Sequence, residues 1–562
     1  LLVRNAVNIY EWDEWQDDIT GFLTRSMHGR LRFSELLTQH NESRYLIARL
    51  DFIALGRLFH GDARAAMAVS YVFACLACFL VYRLSLTTIP GDCRRFCLLA
   101  LASLLIFSPV QSEAWLSGIT HTFFFPVVFA MVAMLTVRSG LKLWLRFIIA
   151  AFLCLLSEYS YANGILTFGM VLPVLLIECR GWREAIITGG AWVALTVAAI
   201  GMYLHGYEKP SYHPSMYLPL SHPGPAAIYF LAFLGSPLGS QPLPMATLLG
   251  GVALALFFAA CAHILLFMRT VPIVRDAAPW AMLGAYALGS DAFCTAGRLG
   301  FGVEQALASR YTVFSIYLTI AVLFLGAICL EDILAHHRRF AIAAVVSACA
   351  IIVGLVALDV RNFIHGATQI SDARALRLRA KSAADWVKIF KDDAALSIVW
   401  ADPNMVALRA RRLNNLGLYR PPLISSPDIR ALTVAGRSGA AGCCEWLTDK
   451  GPEGISLGGW AILPRRGRPA DAVILCSRSA DDRETAFAMA PVGISRPDVR
   501  KVKGRSFEFC GWSRSLTVTQ IPLGTISITA YAFDAERGTA IRLVALIPTT
   551  ISLRTGSAAV TP

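Results

Sequence analysis

The stretches “EWDEWQDD” (residues 11–18) and “HNESR” (residues 40–44) stand in front of a chain that is otherwise mostly apolar. The first stretch sets five acidic residues around Trp12 and Trp15, and the second adds His40, Asn41 and Glu42 beside Arg44. We interpret residues 11–18 as a water-facing acidic and aromatic cluster. The rest of the chain then acts as a hydrophobic scaffold that holds both clusters at a membrane surface.

The composition is that of an integral membrane protein. Of 562 residues, 56% are hydrophobic and 16% are charged, and the mean hydropathy is +0.56. Soluble domains carry about 25% charged residues. The net charge of +13 is attributed to cytoplasmic loops. No Lys/Arg-rich block with interleaved aromatic residues occurs in the sequence, so nucleic acid is excluded as a partner.

Ten apolar stretches approach the roughly 20 residues that a spanning helix needs. The chain begins at Leu1 without a methionine, and we expect a first spanning helix before it, for about eleven in all. The ten visible candidates are residues 64–86, 96–110, 121–137, 143–157, 162–178, 185–204, 245–268, 278–290, 311–330 and 339–359.

The loops between these stretches alternate between basic and non-basic, which predicts a single topology. Basic residues mark cytoplasmic loops, so the other loops, the N-terminal acidic segment and everything after residue 360 are expected to face outward. The basic residues are Arg94 and Arg95, then Arg138, Lys142 and Arg146, then Arg180 and Arg183, then Arg269 and Arg275, and finally His336, His337, Arg338 and Arg339.

Four regions follow from this pattern. Residues 1–63 form an outer acidic loop with amphipathic helices, 64–360 the transmembrane helix bundle, 361–429 an amphipathic helical linker, and 430–562 a β-sandwich of short alternating segments. The predicted fold class is therefore mainly α with a C-terminal β-sandwich. Within the outer loop 205–244, “AAIYFLAFLG” is either a re-entrant or interfacial segment or an ordinary loop helix.

Most of the fourteen cysteines lie in or next to apolar spans and are expected to pack there. The four in the C-terminal region would allow one or two disulfides in an oxidising compartment, with no pairing indicated. They are Cys443, Cys444, Cys476 and Cys510.

The acidic cluster contains the candidate catalytic groups, Asp13 and Glu14. A carboxylate between apolar and aromatic walls can take a proton from a hydroxyl group, and the indole rings of Trp12 and Trp15 suit sugar faces. The alternative is a solvated acidic loop or the first turn of an interfacial helix. Asp17 and Asp18 are expected to begin the following helix.

Cationic side chains on the outer side would hold a phosphate group, for which arginine is favoured. Arg298, Arg310 and Arg44 lie in predicted outer loops, with Tyr311 following Arg310. Arg49 is interpreted instead as an interfacial anchor. The glycines of “GRLGFG” (residues 297–302) follow no strand, so they are expected to allow a tight turn and close backbone approach rather than to bind a dinucleotide.

Three further positions have two interpretations each. His40, Asn41 and Glu42 could bind sugar hydroxyls or a divalent ion, for which their oxygen ligands suit Mg²⁺ or Mn²⁺. Asn41 could instead cap the helix that follows. Asn163, next to Gly164 in “SYANG”, could line an acceptor pocket or end a helix turn.

Taken together, “WDEW”, a “HNEHR”-like cluster, “S.ANG” and the late “GR.GFG…ALASRY” segment resemble bacterial membrane glycosyltransferases of the GT-C class. The resemblance covers residues 8–360, and the segment “GGWAILP…ADAVIL” looks like the β-sandwich modules appended to some of them. Ser43 departs from the pattern because the family has a histidine there. Any role that depends on that imidazole is therefore in doubt.

The resemblance implies a membrane glycosyltransferase in the bacterial cytoplasmic membrane, with its C-terminal domain extracytoplasmic. It would transfer a hexose or pentose, with inversion, from a polyprenyl-phosphate sugar to a cell-envelope glycan or lipid. Asp13 would be the base, with Glu14 as its neighbour or substitute, and Arg298 or Arg310 would hold the leaving phosphate. The β-sandwich could bind the acceptor glycan through Trp460 and Trp512.

Competing interpretations are a lipid-linked sugar flippase, a polysaccharide transporter or polymerase, and a structural anchor for the β-sandwich. A transporter should carry polar residues in the middle of its helices. Glu158, Asp291 and Glu304 fall at predicted helix ends, which favours chemistry at the membrane surface.

Overall fold

The computed structural model describes residues 1–239, 241–268, 270–434 and 441–547. Arg269, used for the topology prediction, lies outside the described residues. The chain divides into two compact units. The first contains Leu1–Asn5, Arg30–Ala54 and Ala65–Ser371, and the second contains Ala6–Gly29, Leu55–Arg64 and Asp372–Pro562.

The predicted fold class is confirmed, because the chain is mainly helical with a C-terminal region of β-sheet. Every one of the ten apolar stretches forms a helix. Long apolar runs without internal breakers satisfy their backbone groups within the helix, which is why they were recognisable in the sequence. The ten helices are Ala63–Thr88, Asp92–Ile106, Phe124–Val137, Leu143–Glu158, Leu166–Ile177, Trp182–Leu204, Leu243–Phe267, Val271–Arg298, Thr312–His336 and Arg338–Asp385.

Six helical segments of the described residues are long and apolar enough, by length and composition, to cross a membrane. This supports a multi-pass membrane protein. The six segments are Ala63–Thr88, Ile119–Val137, Trp182–Leu204, Leu243–Phe267, Ser309–His336 and Arg338–Asp385.

Two helix boundaries differ from the prediction. Val271–Arg298 extends eight residues beyond the predicted end at residue 290, so Asp291 lies inside the helix and is buried. Arg338–Asp385 continues past residue 360, because the apolar span passes without a proline into the Arg- and Ala-rich stretch that follows. A change in composition therefore does not end the helix here.

Shorter helical segments connect these helices. The segment “AAIYFLAFLG” forms most of the helix Pro223–Gly235, whose 13 residues rise about 20 Å at 1.5 Å per residue, too little to span a bilayer. The other helices of at least four residues before residue 312 are Leu2–Asn5, Trp12–Trp15, Asp17–Gly21, Phe22–Met27, Phe33–Leu36, Leu46–Leu58, Ser112–Leu116, Ile119–Phe123, Ala162–Ile165, Leu218–Ser221 and Val303–Leu307.

A small hairpin carries the “HNESR” cluster in the first unit. Gln39–His40 pairs antiparallel with Ser43–Arg44, and His40 lies opposite Ser43. The turn residue Asn41 has a φ of 49°, a left-handed conformation that asparagine tolerates. The helix that follows begins only at Leu46, so the alternative in which Asn41 caps that helix is wrong.

The second unit contains the two sheets of the β-sandwich. The four-stranded sheet has the order Thr539–Arg542, Ser527–Asp534, Ala472–Arg478, Glu484–Ala490. The other has the order Val544–Ala545, Gly442–Asp449, Ile455–Leu463, Gly511–Leu516, Val492–Ile494, with Arg468–Pro469 also paired to Ile455–Leu463. Apolar side chains from both sheets share one core that includes Leu457, Val473, Leu475, Trp512 and Ile528.

The opposite face of the four-stranded sheet is also buried. Ile474 and Phe533 pack in a second core with Trp15 from the N-terminal stretch and with Trp386 and Leu396 from the helical segment after residue 371. The helices of that segment include Asp393–Leu396, Pro403–Asn415 and Ile429–Leu432. One hydrophobic core therefore joins residues from both ends of the chain.

The expectation that residues 11–18 all face water is wrong for Glu14 and Trp15, which are both 0% exposed. The Trp15 indole Nε1 donates to the Tyr10 carbonyl at 2.7 Å, and a Glu14 carboxylate oxygen accepts from the Glu11 backbone nitrogen at 2.8 Å. Acids and aromatics here build the core that the preceding paragraph describes. Hydrophilic composition alone did not reveal this.

The cysteines of the β-sandwich form no disulfide. Cys443, Cys444, Cys476 and Cys510 are all buried and all free. They fill space in the sheets and their covering layers, as the earlier cysteines do in the helices.

Candidate functional site

A cavity of about 370 Å³ lies in the first unit. Four of the residues predicted to bind substrate line it, namely Glu42, Asn163, Arg298 and Tyr311. They come from the hairpin, from the short helix Ala162–Ile165, and from the two ends of the connection between Val271–Arg298 and Thr312–His336. The fold thus brings together residues that are up to 269 positions apart in the sequence, from Glu42 to Tyr311.

Glu42 and Arg298 form a two-pronged ion pair at the cavity wall. The Arg298 Nη1 lies 2.5 Å from Oε1 of Glu42, and Nη2 lies 2.9 Å from Oε2. Glu42 occupies the hairpin turn and Arg298 is the last residue of its helix, so both are held by short, ordered backbone segments. This paired geometry fixes the plane of the guanidinium group.

His213 is the third member of this cluster, which we call the Glu42–His213–Arg298 cluster. Its Nδ1 contacts Oε1 of Glu42 and lies 3.3 Å from Nη1 of Arg298. Burial alone would raise the pKa of Glu42, but the hydrogen bond and charge of Arg298, with His213, lower it below its usual value. The Glu42 carboxyl is therefore ionised at neutral pH. The sequence gave only a loop rich in proline, histidine and tyrosine, with nothing to distinguish His213 from its neighbours.

The glycines of “GRLGFG” bring the loop of His213 against Arg298. A Cβ on Gly300 would lie 2.4 Å from Cβ of Pro214, and Gly302 has a φ of 104°. The predicted roles, a tight turn and a close backbone approach, are confirmed at these two positions. Gly300 provides the seat for Pro214, the neighbour of His213.

Replacing Gly300 by alanine is expected to lower stability by about 1–3 kcal/mol, because the rigid proline ring must move away from the added methyl group. The melting temperature of the full-length protein in detergent measures this. Gly201→Ala is the matched control, since a Cβ at that helical position meets nothing within 4 Å. Equal melting temperatures for Gly300→Ala and the parent would show that Pro214 does not rest on Gly300.

Asn163 is buried, and its side chain is fully engaged on one side of the cavity. Its Nδ2 donates to the Tyr286 hydroxyl and to the Ser290 hydroxyl, each at 3.0 Å. The alternative in which Asn163 lines a pocket is therefore supported, and the cavity shape depends on its hydrogen bonds. Tyr161 and Tyr311 add aromatic walls.

Arg310, by contrast, pairs with an acid that the sequence did not single out. Its Nη1 lies 2.9 Å from Oε1 of Glu113, and its backbone nitrogen donates to Oε2 at 3.0 Å. Ser309 also donates to Glu113 at 3.1 Å. Glu113 lies in the loop “SPVQSEAWLSGITH”, where a lone acid among apolar residues was the only available signal.

The remaining residues of the “HNESR” cluster have separate partners. Arg44 donates to the carbonyls of Tyr203 at 2.6 Å and Leu37 at 3.0 Å, and also to that of His205, so it ties the hairpin to the end of the helix Trp182–Leu204. His40 packs against the ring of Tyr45. Within the described ranges, no group of three or more His, Cys, Asp or Glu side chains could hold a metal ion.

Arg49 does not reach for a membrane surface, as the sequence had suggested. It is 1% exposed, and its Nη1 donates to the carbonyls of Leu36 at 3.0 Å and Thr38 at 2.5 Å. Its role is to hold the segment before the hairpin.

Asp13, Glu14, Trp12 and Trp15 belong to the second unit. They lie on the short helix Trp12–Trp15, where the Gln16 amide donates to Oδ1 of Asp13 at 3.2 Å and Trp12 is 49% exposed. Glu14 and Trp15 are core residues. The role of Asp13 as a base stays a prediction.

Trp512 is 1% exposed and lies in the core of the β-sandwich. Its predicted contact with a glycan is therefore wrong. Trp460 is partly buried against Ile462, Val499 and Cys510.

No protein-family model matches the chain, and no curated protein does. Two crystal structures of ArnT from Cupriavidus metallidurans are similar to it, one bound to undecaprenyl phosphate at 13% identity and one in the apo state at 14% identity. Each match covers 74% of this chain and 73% of the ArnT chain, with a TM-score of 0.33. A similarity at this TM-score carries no argument about fold or activity.

Proposed function

We propose that this protein is a membrane glycosyltransferase of the GT-C type that moves a sugar from a polyprenyl-phosphate donor to a cell-envelope glycan or lipid. The observation that carries the proposal is the cavity around Arg298. It combines charged groups with apolar and aromatic walls that include Leu204, Phe293 and Phe314, in a unit built of apolar helices. Such a mixture suits a ligand with an anionic phosphate and an apolar chain.

The charges lining the cavity favour an anion. Arg298 and Lys209 supply two cations, and Glu42 is the opposing carboxylate. Arginine binds phosphate oxygens through its planar, paired donors. Arg298 is therefore the candidate that holds the phosphate, and Arg310, which is bound to Glu113, is the candidate that supports the wall next to it.

The proposed reaction is a single displacement with inversion. The acceptor hydroxyl oxygen attacks the anomeric carbon, the bond from that carbon to the phosphate oxygen breaks, and the polyprenyl phosphate leaves with the bonding electron pair. Arg298 stabilises the negative charge that builds on the phosphate. The sequence resemblance assigns the proton of the acceptor hydroxyl to Asp13.

We further propose that the protein lies in the bacterial cytoplasmic membrane, with the site and the β-sandwich on the outer face. Three ion pairs link the predicted cytoplasmic connections, or helix ends next to them, to one another. This supports the expectation that the basic connections share one side of the membrane. The pairs are Arg94–Glu331, Arg138–Asp276 and Arg275–Glu178.

The test is transfer of radiolabelled sugar from a panel of polyprenyl-phosphate hexoses and pentoses, by membranes containing the full-length protein. We expect transfer by the parent protein, and a loss of about 10²-fold or more in Asp13→Asn if Asp13 is the base. Expression and melting temperature of both proteins are measured alongside. An Asp13→Asn variant that works as well as the parent would remove Asp13 from the mechanism.

A lipid-linked sugar flippase is the second candidate, and one observation favours it. Asp291 lies within a predicted spanning helix and is fully buried, and buried acids inside membrane helices mark transport paths. The same membranes distinguish the two functions. Labelled lipid that crosses the bilayer without any sugar transfer would support the flippase and contradict the transferase.

A further inference from the structure

We propose that His213 accepts the proton of the acceptor hydroxyl, with Glu42 orienting its imidazole ring. This inference rests on the proposed transfer reaction and assigns the proton to a residue other than Asp13. It makes His213 a catalytic residue and Glu42 a positioning residue.

The contacts of His213 leave one ring nitrogen for chemistry. Nδ1 lies against the ionised Glu42 carboxylate, which can only accept a hydrogen bond, so Nδ1 carries the proton. Neutral imidazole then has its lone pair on Nε2, and in the described part of the chain no residue hydrogen bonds to Nε2. A carboxylate that holds one nitrogen of a histidine fixes the tautomer in which the other can act as a base.

The position of the ring is well determined. The His213 side chain is 7% exposed, lines the cavity, and meets the rings of Tyr212 and Phe301 edge to face. Pro214, the next residue, rests on Gly300, and the His213 carbonyl accepts from Lys209 at 3.0 Å. The ring is thus held on the same cavity wall as Arg298, the proposed phosphate ligand.

The charges around the ring keep it neutral. Burial lowers the pKa of His213, the Glu42 carboxylate raises it, and the Arg298 and Lys209 charges lower it, with a net value below the usual one. A base must be unprotonated to act, so a lowered pKa keeps His213 competent to lower pH. These three are the charged groups that face it from the hairpin, from the end of the helix Val271–Arg298 and from its own loop.

The proton balance of the step is complete. As the hydroxyl oxygen bonds to the anomeric carbon, its proton moves to Nε2 and the leaving phosphate takes the electron pair of the broken bond. His213 becomes an imidazolium ion whose charge the Glu42 carboxylate stabilises. The products are the glycoside, the polyprenyl phosphate and a proton that imidazolium then releases to water.

The experiment measures kcat and KM against pH, between about pH 5 and 8, for the full-length protein with the best donor of the panel. We expect His213→Gln to lower kcat about 10²-fold or more with little change in KM, and to lose the fall of activity at acidic pH. In Glu42→Gln the carboxylate that raises the pKa of His213 is gone, so the acidic fall should move to lower pH. Free imidazole should restore part of the activity of His213→Ala.

His222→Gln is the matched control, because it removes an exposed histidine of the same loop. An unchanged kcat in His213→Gln, an acidic fall that persists in that variant, or a failure of imidazole to restore His213→Ala would overturn the proposal. Loss of activity in Asp13→Asn with an active His213→Gln would assign the proton to Asp13. A parent protein that transfers no sugar would overturn both this inference and the proposed function.

Discussion

Replacing Arg298 by alanine is expected to lower kcat/KM for sugar transfer by about 10²–10³-fold, the usual effect of removing a group that stabilises developing negative charge. Two losses act together. The leaving phosphate loses its cation, and the Glu42 carboxylate, bound at 2.5 and 2.9 Å in the parent, loses its main partner at the cavity wall. The same transfer assay measures the effect, with saturation curves for the donor.

Two further variants separate charge from geometry. Arg298→Lys keeps the charge but cannot contact two oxygens in one plane, so we expect it to recover only part of the activity. Arg30→Ala removes an exposed arginine of the same unit and should match the parent. Full activity in Arg298→Ala would show that the phosphate is held elsewhere.

The loss should also appear in the pH profile. Without Arg298, the pKa of Glu42 rises, because burial raises it and the arginine is the main group that lowers it. Glu42 then takes up a proton at a higher pH and no longer holds the Nδ1 hydrogen of His213. The residual activity of Arg298→Ala should therefore fall off at higher pH than that of the parent.

The helices could be predicted from the sequence because each depends on a local property. A run of apolar residues satisfies its own backbone hydrogen bonds wherever the rest of the chain lies. The alternating strands after residue 430 were recognisable for the same reason. Boundaries failed where helix formation outlasted the apolar run, as at Asp291, since helical backbone does not require apolar side chains.

The site was only half predictable. Arginines in an outer loop indicated an anion, but nothing local pairs Glu42 with Arg298 across 256 positions, or adds His213 to them. Arg44 and Arg298 looked alike in the sequence. The fold decides that one binds backbone carbonyls and the other lines a cavity.

The N-terminal acids were misread in a related way. An acidic and aromatic stretch usually faces water, because burying a carboxylate without a partner is costly. Here Glu11 has such a partner in Arg377, 366 positions away, at 2.5 Å. A distant cation turns a surface pattern into a core.

That ion pair leads to the largest expected effect on stability. Glu11→Ala should destabilise the second unit by about 3–5 kcal/mol, because it leaves the Arg377 charge buried without its carboxylate. Both side chains are under 10% exposed, at 8% for Glu11 and 6% for Arg377. Denaturant unfolding of the full-length protein in detergent, followed by tryptophan fluorescence, measures the change.

The controls also bear on catalysis. Glu453→Ala, an exposed acid of the same unit, should unfold like the parent. The double variant Glu11→Ala with Arg377→Met should recover part of the lost stability, since it removes the unpaired charge along with the pair. If Glu11→Ala unfolds like the parent, the pair does not hold the unit together. If it unfolds early while Asp13→Asn does not, a loss of transfer in Asp13→Asn reports chemistry, because the neighbouring acid would then be the structural one.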